Sequence, residues 1–424
     1  MKVKRIWSIL IVVLFIGILA ACNDSDDASG SSGSSEGSTE GTSEGSSEDA
    51  AGEDTQETIK IGVLASLTGA LEAYGDQTKK GFELGLDYAT DGTMEVAGKK
   101  IEVFFEDTET DPTVARQKAI GLLEDQEVDF LVGSSSSGDT LAVTPLAEEY
   151  EKIMVVEPAA ADSITGSEYN DYIFRTARNS AQDAVAAAAS IAGEGVKIAT
   201  LAPDYSFGHD GVAAFVAAAE NLGADIVHEE YADQAATDFT ANIQKIIESD
   251  PDYLYVVWAG ANSPWNQISD MRLQEQGISI TTGAPDIAAL ATMSQLVGME
   301  GFTLYYHTLP DNEVNDWLVK EHAERFDGAV PDLFTPGGMS AAISIVEALK
   351  QNDGDADSAT LIDIMEGMSF ETPKGTMTFR PEDHQALQEM YSITLEESDD
   401  VDYPVPVLNR VLTPEETAPP IMNQ

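Results

Sequence analysis

Residues 128–150 read VDFLVGSSSSGDTLAVTPLAEEY. The first six residues, Val128–Gly133, form a short apolar run of strand character. The stretch from Asp139 has helical spacing of its apolar residues, with Pro145 implying a kink. Between them lie a glycine and four serines. An apolar run of strand length, a turn rich in small residues and an amphipathic helix make one βα unit of a parallel sheet. Serine is common filler, and one serine or Asp139 suffices to cap a helix. Four in a row offer more. The first amides of a helix lack internal partners and carry partial positive charge. A turn of hydroxyls at that point suits a carboxylate or phosphate.

The same alternation extends in both directions. IKIGVLAS predicts a buried strand from Ile59, and a helix is expected from about Gln77 to Tyr88. KIEVFFED, VDFLVG and IMVVEP predict three further strands, with TVARQKAIGLLED as a helix between the first two. The pattern restarts after YIFRTARN. There AQDAVAAAASIA, DGVAAFVAAAENLG, FTANIQKIIES and SPWNQISDMRLQEQG read as helices. VKIATLA, ADIVHEEY, DYLYVVWA and ISITTG read as strands. Two such series imply two doubly wound α/β lobes, each with a parallel sheet covered on both faces. In open sheets of this kind ligands sit beyond the carboxyl ends of the strands. The serine turn occupies such an end.

The N-terminus carries an address. MKVKRIWSILIVVLFIGILAAC has a basic start (Lys2, Lys4, Arg5), an apolar run from Ile6 to Leu19, and small residues before Cys22. That is the layout of a secretory signal over residues 1–21, and the run is short for a membrane span. Leu19-Ala20-Ala21-Cys22 resembles the lipobox of bacterial lipoproteins. The resemblance implies a lipid on Cys22, the chain's single cysteine, and an anchor in the membrane. One cysteine excludes a disulfide framework and a multi-cysteine metal site. Residues 22–57 are acidic, rich in Ser and Gly, and lack any aliphatic residue larger than alanine after Cys22. Such a segment cannot offset its chain entropy by burial and is expected to be a disordered tether. Its two G-x-S-x-G matches lack the strand and helix that a nucleophile elbow requires.

The chain of 424 residues has 75 acids against 22 bases, a formal net charge of −53. It would repel nucleic acid, so no nucleic-acid partner is expected. Of the charged residues, 64 acids and 19 bases fall in residues 58–424, so the surplus belongs to the folded part. Adaptation to high salt, where screening limits self-repulsion, is one reading of that surplus. An ordinary acidic secreted protein is the other.

The five histidines are scattered, with no H-x-x-H or H-E-x-x-H pair and no phosphate-binding G-x-x-x-x-G-K-[ST] loop. No enzyme activity, metal or cofactor is expected on that basis.

Several stretches together resemble one family: IGVLASLTGALEAYGDQTKKGFELGLDY, VGSSSSGDTLAVTPLAEEY, EPAAADSITG, YIFRT, YSFGHDG and PDLFTPGGMSAAISIVEAL. They resemble the type I periplasmic-binding-protein-like solute-binding proteins, in the branched-chain amino-acid (Leu/Ile/Val-binding) group that feeds ABC transporters. The resemblance implies two lobes joined by three crossover strands and closing on a small polar ligand. It places lobe one at 58–178 plus 307–374 and lobe two at 179–306 plus 375–424. It implies a monomer partnered by an ABC permease. Ligand contacts are implied for Tyr74, Ser136, Ser137, Ala159 and Ala160, with Phe207 and Trp258 as second-lobe aromatics. Where the family commonly has Ser or Thr, this chain has Ala161, and Asp162 follows as a possible substitute. The acid that would hold a ligand ammonium corresponds to Pro285 or, with one insertion, Asp286, and an amide or aromatic acid could use the same cleft without one. A lipoprotein that senses its ligand through a partner receptor is the alternative function.

Overall fold

The computed structural model describes residues 57–260 and 262–423; the signal peptide, Cys22 and all but the last residue of the tether lie outside them. The first series runs β1 (Thr58–Ala65), α1 (Glu72–Ala89), β2 (Glu95–Val96), β3 (Lys99–Asp107), α2 (Pro112–Glu124), β4 (Phe130–Gly133), α3 (Ser137–Glu149), β5 (Ile153–Val156) and β6 (Ile173–Arg175). The second runs α4 (Ser180–Ile191), β7 (Lys197–Pro203), α5 (Ser206–Asn221), β8 (Asp225–Ala232), α6 (Thr240–Glu248), β9 (Tyr253–Val256), α7 (Trp265–Asp270), β10 (Ser279–Thr282), α8 (Ile287–Leu290) and β11 (Glu300–Thr303). The chain then forms α9 (Glu313–Arg325), α10 (Thr335–Gln351), α11 (Ser358–Met365), β12 (Ser369–Thr372), β13 (Gly375–Phe379) and β14 (Ala386–Leu387), and ends with β15 (Met390–Glu396) and β16 (Val405–Leu412).

The strands order as β2-β3-β1-β4-β5-β6 in one lobe and β10-β9-β7-β8 in the other. Apart from the antiparallel edge strand β2, every pair in these two sheets is parallel. The four residues of β4 and of β5 are buried throughout, as strands covered on both faces must be. Parallel bridges at Arg175–Gln385 and Gly283–Phe302 attach the antiparallel strands β12–β14 to the first sheet and β11, β15 and β16 to the second. The fold is therefore the expected pair of α/β lobes.

One boundary differs from the sequence expectation. The third crossing was expected near Lys374, but β13 pairs with β12 and β14 with β13. Met377, Phe379 and Ala386 share a core with Phe174, Val155 and Ile343 of the first lobe. The chain crosses later, between Leu387 and Met390. A hairpin whose apolar residues alternate inward belongs to the lobe that supplies its core. The helix expected over Ser263–Gly277 is also shorter, because Arg272 takes a left-handed backbone at φ 50 and breaks it. In contrast, α3 continues through Pro145.

Buried polar groups tie the first and third crossings. Arg175, fully buried, donates Nε–H to Gln385 Oε1 at 2.6 Å and Nη1–H to the Ala161 carbonyl at 2.6 Å, and also bonds Thr165. Gln385 donates to the Ala177 carbonyl at 2.7 Å, and Gln388 to Thr176 at 3.0 Å. Burial lowers the Arg175 guanidinium to about 10 and the Lys374 ammonium, which donates to Gln388 Oε1 at 2.6 Å, to about 8. A buried charge persists only when its hydrogen bonds are met, so this network fixes where the segments cross.

Candidate ligand cleft between the lobes

The carboxyl ends of the two parallel sheets face each other across a cavity of about 80 Å³. One water needs roughly 10–15 Å³ on the same measure, so the space fits a small molecule. Tyr74, Ser135, Ser137, Ala159 and Ala160 line it from the first lobe, and Phe207, Tyr255 and Trp258 from the second.

The serines divide their work. Ser136 is the N-cap of α3, its hydroxyl accepting from the Asp139 amide at 3.5 Å. Ser134 bonds inward to Ser136 and Thr140. Ser135 Oγ accepts from the Ser66 amide at 3.0 Å, and Ser137 Oγ from the Ala161 amide at 3.2 Å. Only Ser135 and Ser137 of the four line the cavity. Ser136, expected to face a ligand with Ser137, is consumed as the cap of α3 and does not line the cavity, whereas Ser135 does.

Tyr74, Ala159, Ala160, Phe207 and Trp258 lie together in the lining. Trp258 is fixed by an Nε1–H bond to the Asn262 carbonyl at 2.8 Å and an edge contact with Phe239. The two candidate ammonium partners do not line the cavity. Asp162 accepts from the Ala181 amide at 2.9 Å at the start of α4 and lines a separate groove with Asp210. Burial pushes its carboxyl up to about 7. Asp286 caps α8 through the Ala289 amide at 2.8 Å and borders a groove beside the cleft. Both acids are held by backbone amides at helix starts.

In their place the cleft contains an ion pair that sequence reading did not single out. Arg178 Nη2 stands 3.2 Å from Asp183 Oδ2, with their side chains 10% and 13% exposed. Arg178 Nη1 also donates to the Pro158 carbonyl at 3.3 Å, and the guanidinium lies 5.9 Å from the centre of the Phe334 ring. Arg178 Nε and Asp183 Oδ1 are buried without a hydrogen-bond partner. Burial raises the Asp183 carboxyl, and Arg178 pulls it back. A buried pair with one free donor and one free acceptor is incomplete without a ligand or water. Tyr205, Tyr255 and Phe334 complete the aromatic wall. The available signal was position: Arg178 is a rare base just past the end of strand YIFR.

Asp139 sits under the serine turn with no exposed surface and neither carboxylate oxygen hydrogen-bonded. Burial pushes its carboxyl up to about 6, outweighing the nearby hydroxyls of Thr108 and Ser136. A folded value above the unfolded 3.8 means stability present in acid and lost as pH rises through about 6. Two units correspond to about 2–3 kcal/mol. Asp139→Asn should therefore raise the unfolding midpoint at pH 8 and change it little at pH 4. Scanning calorimetry at the two pH values measures this; an equal effect at both rejects the charged-state cost.

Comparison with known proteins agrees with this architecture. Residues 58–400 match the periplasmic binding protein family, and the chain belongs to it. It is a solute-binding protein of the ABC-transporter class. Among curated relatives, Leu/Ile/Val-binding protein homolog 6 of Brucella abortus (strain 2308) is 26% identical over 370 residues, covering 84% of this chain and 92% of the relative. A solved structure described as an ABC-type branched-chain amino acid transporter from Rhodopseudomonas palustris CGA009 is 46% identical. It has a TM-score of 0.76 and covers 86% of this chain and 100% of that one. A solute binding protein of an ABC transporter from Rhodopseudomonas palustris BisB5, in complex with 3,4-dihydroxy benzoic acid, is 28% identical. Its TM-score is 0.73, with 84% and 97% covered.

Proposed function

We propose that the protein captures a small organic carboxylate outside the membrane and delivers it to an ABC permease. The observation that carries this is Arg178: a buried guanidinium lining the cleft, with Nε unpartnered, beside Ser135, Ser137 and the N-terminus of α3. The ligand's carboxylate would meet the Arg178 guanidinium and the serine side of the cavity, since charge-assisted bonds in a dry site are the strong ones. Tyr74, Tyr205, Phe207, Tyr255 and Trp258 would cover an apolar or aromatic body. An aromatic acid fits these walls, and the 28%-identical neighbour holds one. A second reading, an amino acid, rests on Asp183, an acid among the cavity-lining residues that could partner an ammonium.

Thermal-shift titration with L-leucine, L-phenylalanine, benzoate, 4-hydroxybenzoate and benzamide tests both. Stabilisation by an acid but not by benzamide is expected. A response to benzamide alone rejects the carboxylate reading, and a response confined to the amino acids selects the second. The ligand should be recovered chemically unchanged after prolonged incubation, as binding without catalysis requires.

Anchoring through Cys22 belongs to the same proposal and is supported by the Leu19–Cys22 motif and the tether. Cys22→Ser should release the protein into the soluble fraction or leave the precursor uncleaved. Fractionation and migration identical to the wild type would reject the lipid anchor.

A further inference from the structure

The lobes also touch through polar bonds, one of which lies outside the cavity lining. Asp332, in the turn before α10, is held by its own lobe. Its Oδ1 accepts from the Leu333 amide at 2.8 Å, and its Oδ2 from Gln77 Nε2 at 3.1 Å. Gln77 in turn accepts from the Phe334 amide at 3.0 Å, and the Asp332 amide donates to Thr335 Oγ1 at 3.2 Å. The carboxylate so fixed receives one donor from the other lobe: the Ile287 amide, 3.1 Å from Oδ1 and 3.3 Å from Oδ2. Ile287 opens α8, so its N–H has no partner within the helix.

A second bond runs the same way. The Gly260 amide donates to the Tyr74 hydroxyl at 3.3 Å. Gly260 has φ +96, and a Cβ there would lie 2.9 Å from the Ala70 carbonyl oxygen of the first lobe. Leu333 and Phe334 line the cavity while Asp332 does not. Its role is therefore separable from ligand contact.

We propose that Asp332 is a latch for the closed cleft, a positioning residue that receives the Ile287 amide as the lobes meet and so sets how tightly a bound solute is retained. The proposal rests on the cleft being the solute site. Each lobe alone leaves one half of the bond to water, and closure joins them at a carboxylate already oriented by two first-lobe donors, the Leu333 amide and Gln77 Nε2. A preoriented charged acceptor loses little on pairing. Ligand affinity is reduced by whatever fraction of the protein is open, so a weaker latch lowers affinity with every ligand contact intact.

The test removes the donor without touching Asp332. Ile287→Pro deletes the amide hydrogen at the first helical position, where proline is tolerated. The preceding Asp286 has φ −61 and ψ 165, which a following proline accepts. Ile287→Ala trims the same side chain but keeps the amide, and serves as the control. Asp332→Asn and the double variant Ile287→Pro/Asp332→Asn complete the set. L-leucine and 4-hydroxybenzoate are the probes, read by calorimetric titration, with small-angle scattering on each protein before and after addition.

Ile287→Pro is expected to bind whichever probe the wild type binds roughly 10- to 100-fold more weakly. It should also scatter as a more open particle, while Ile287→Ala stays near the wild type. Adding Asp332→Asn to Ile287→Pro should cost little more, because the bond is already gone. Equal affinity and equal compactness of Ile287→Pro and Ile287→Ala overturn the latch. If neither probe binds the wild type, the ligand reading fails. The scattering comparison of the two unliganded variants then decides the latch: a more open Ile287→Pro supports it, and no difference overturns it.

Discussion

Arg178→Met should weaken binding of the cognate carboxylate by roughly 30- to 5000-fold. The pair it breaks is buried, so the 0–1 kcal/mol typical of exposed ion pairs does not apply. Truncating one partner of a buried, hydrogen-bonded charge pair costs about 2–5 kcal/mol, or roughly 30- to 5000-fold in affinity when the lost group also meets the ligand. Two effects are mixed in that loss. The ligand forfeits its cation, and Asp183 is left as an uncompensated charge in a dry wall, which lowers stability as well. Adding Asp183→Asn separates them. The double variant should regain the unfolding midpoint while affinity stays low. An Arg178→Met protein that binds its acid as the wild type does would show that the serine turn alone seats the carboxylate. Should the double variant recover affinity too, the arginine serves only to neutralise Asp183.

The fold was legible because its signals are local. A run such as FLVG or IMVV is apolar at every position only when a strand is covered on both faces, and the helices between them have a separate period. The serine turn was legible for the same reason, since strand end and helix start are adjacent in the chain. Which serine faces the cavity was not, because that depends on Ser136 being taken as the cap. The acids were the hardest to place. With 75 of them, position near a strand end discriminates poorly, and Asp162 and Asp286 both turned out to hold helix amides. Asp183 lies in the first turn of α4, where an acid reads as an ordinary partner of the helix N-terminus. Only the three-dimensional approach of Arg178 distinguishes it. The crossing misplaced at Lys374 has a similar cause: the alternating burial of SFET and GTMTF marks a half-buried hairpin but cannot say which lobe supplies the buried side.

A last expected result links the core of the first lobe to the cleft. α1 and α10 pack so closely that their backbones meet through glycines. A Cβ on Gly81 would stand 1.8 Å from the Thr335 carbonyl oxygen, and one on Gly338 would stand 2.1 Å from the Thr78 carbonyl oxygen. The obstacle is backbone in both cases, so no side chain can rotate away and the helices must separate. Gly81→Val should cost about 3 kcal/mol or more, the upper end of overpacking, and lower the unfolding midpoint by about 4 °C or more. The consequence for function follows from where the two helices begin. Tyr74 lies in the first turn of α1 and Phe334 caps α10, their rings 4.5 Å apart in an edge contact, and both line the cavity. Displacing one helix against the other moves this aromatic pair, the Phe334 ring facing Arg178, and the Asp332 turn together. Ligand affinity should therefore fall in the same variant, measured at a temperature well below its midpoint. A Gly81→Val protein that is destabilised yet binds with wild-type affinity would mean that the cleft's first-lobe wall is set by the sheet and not by this helix contact.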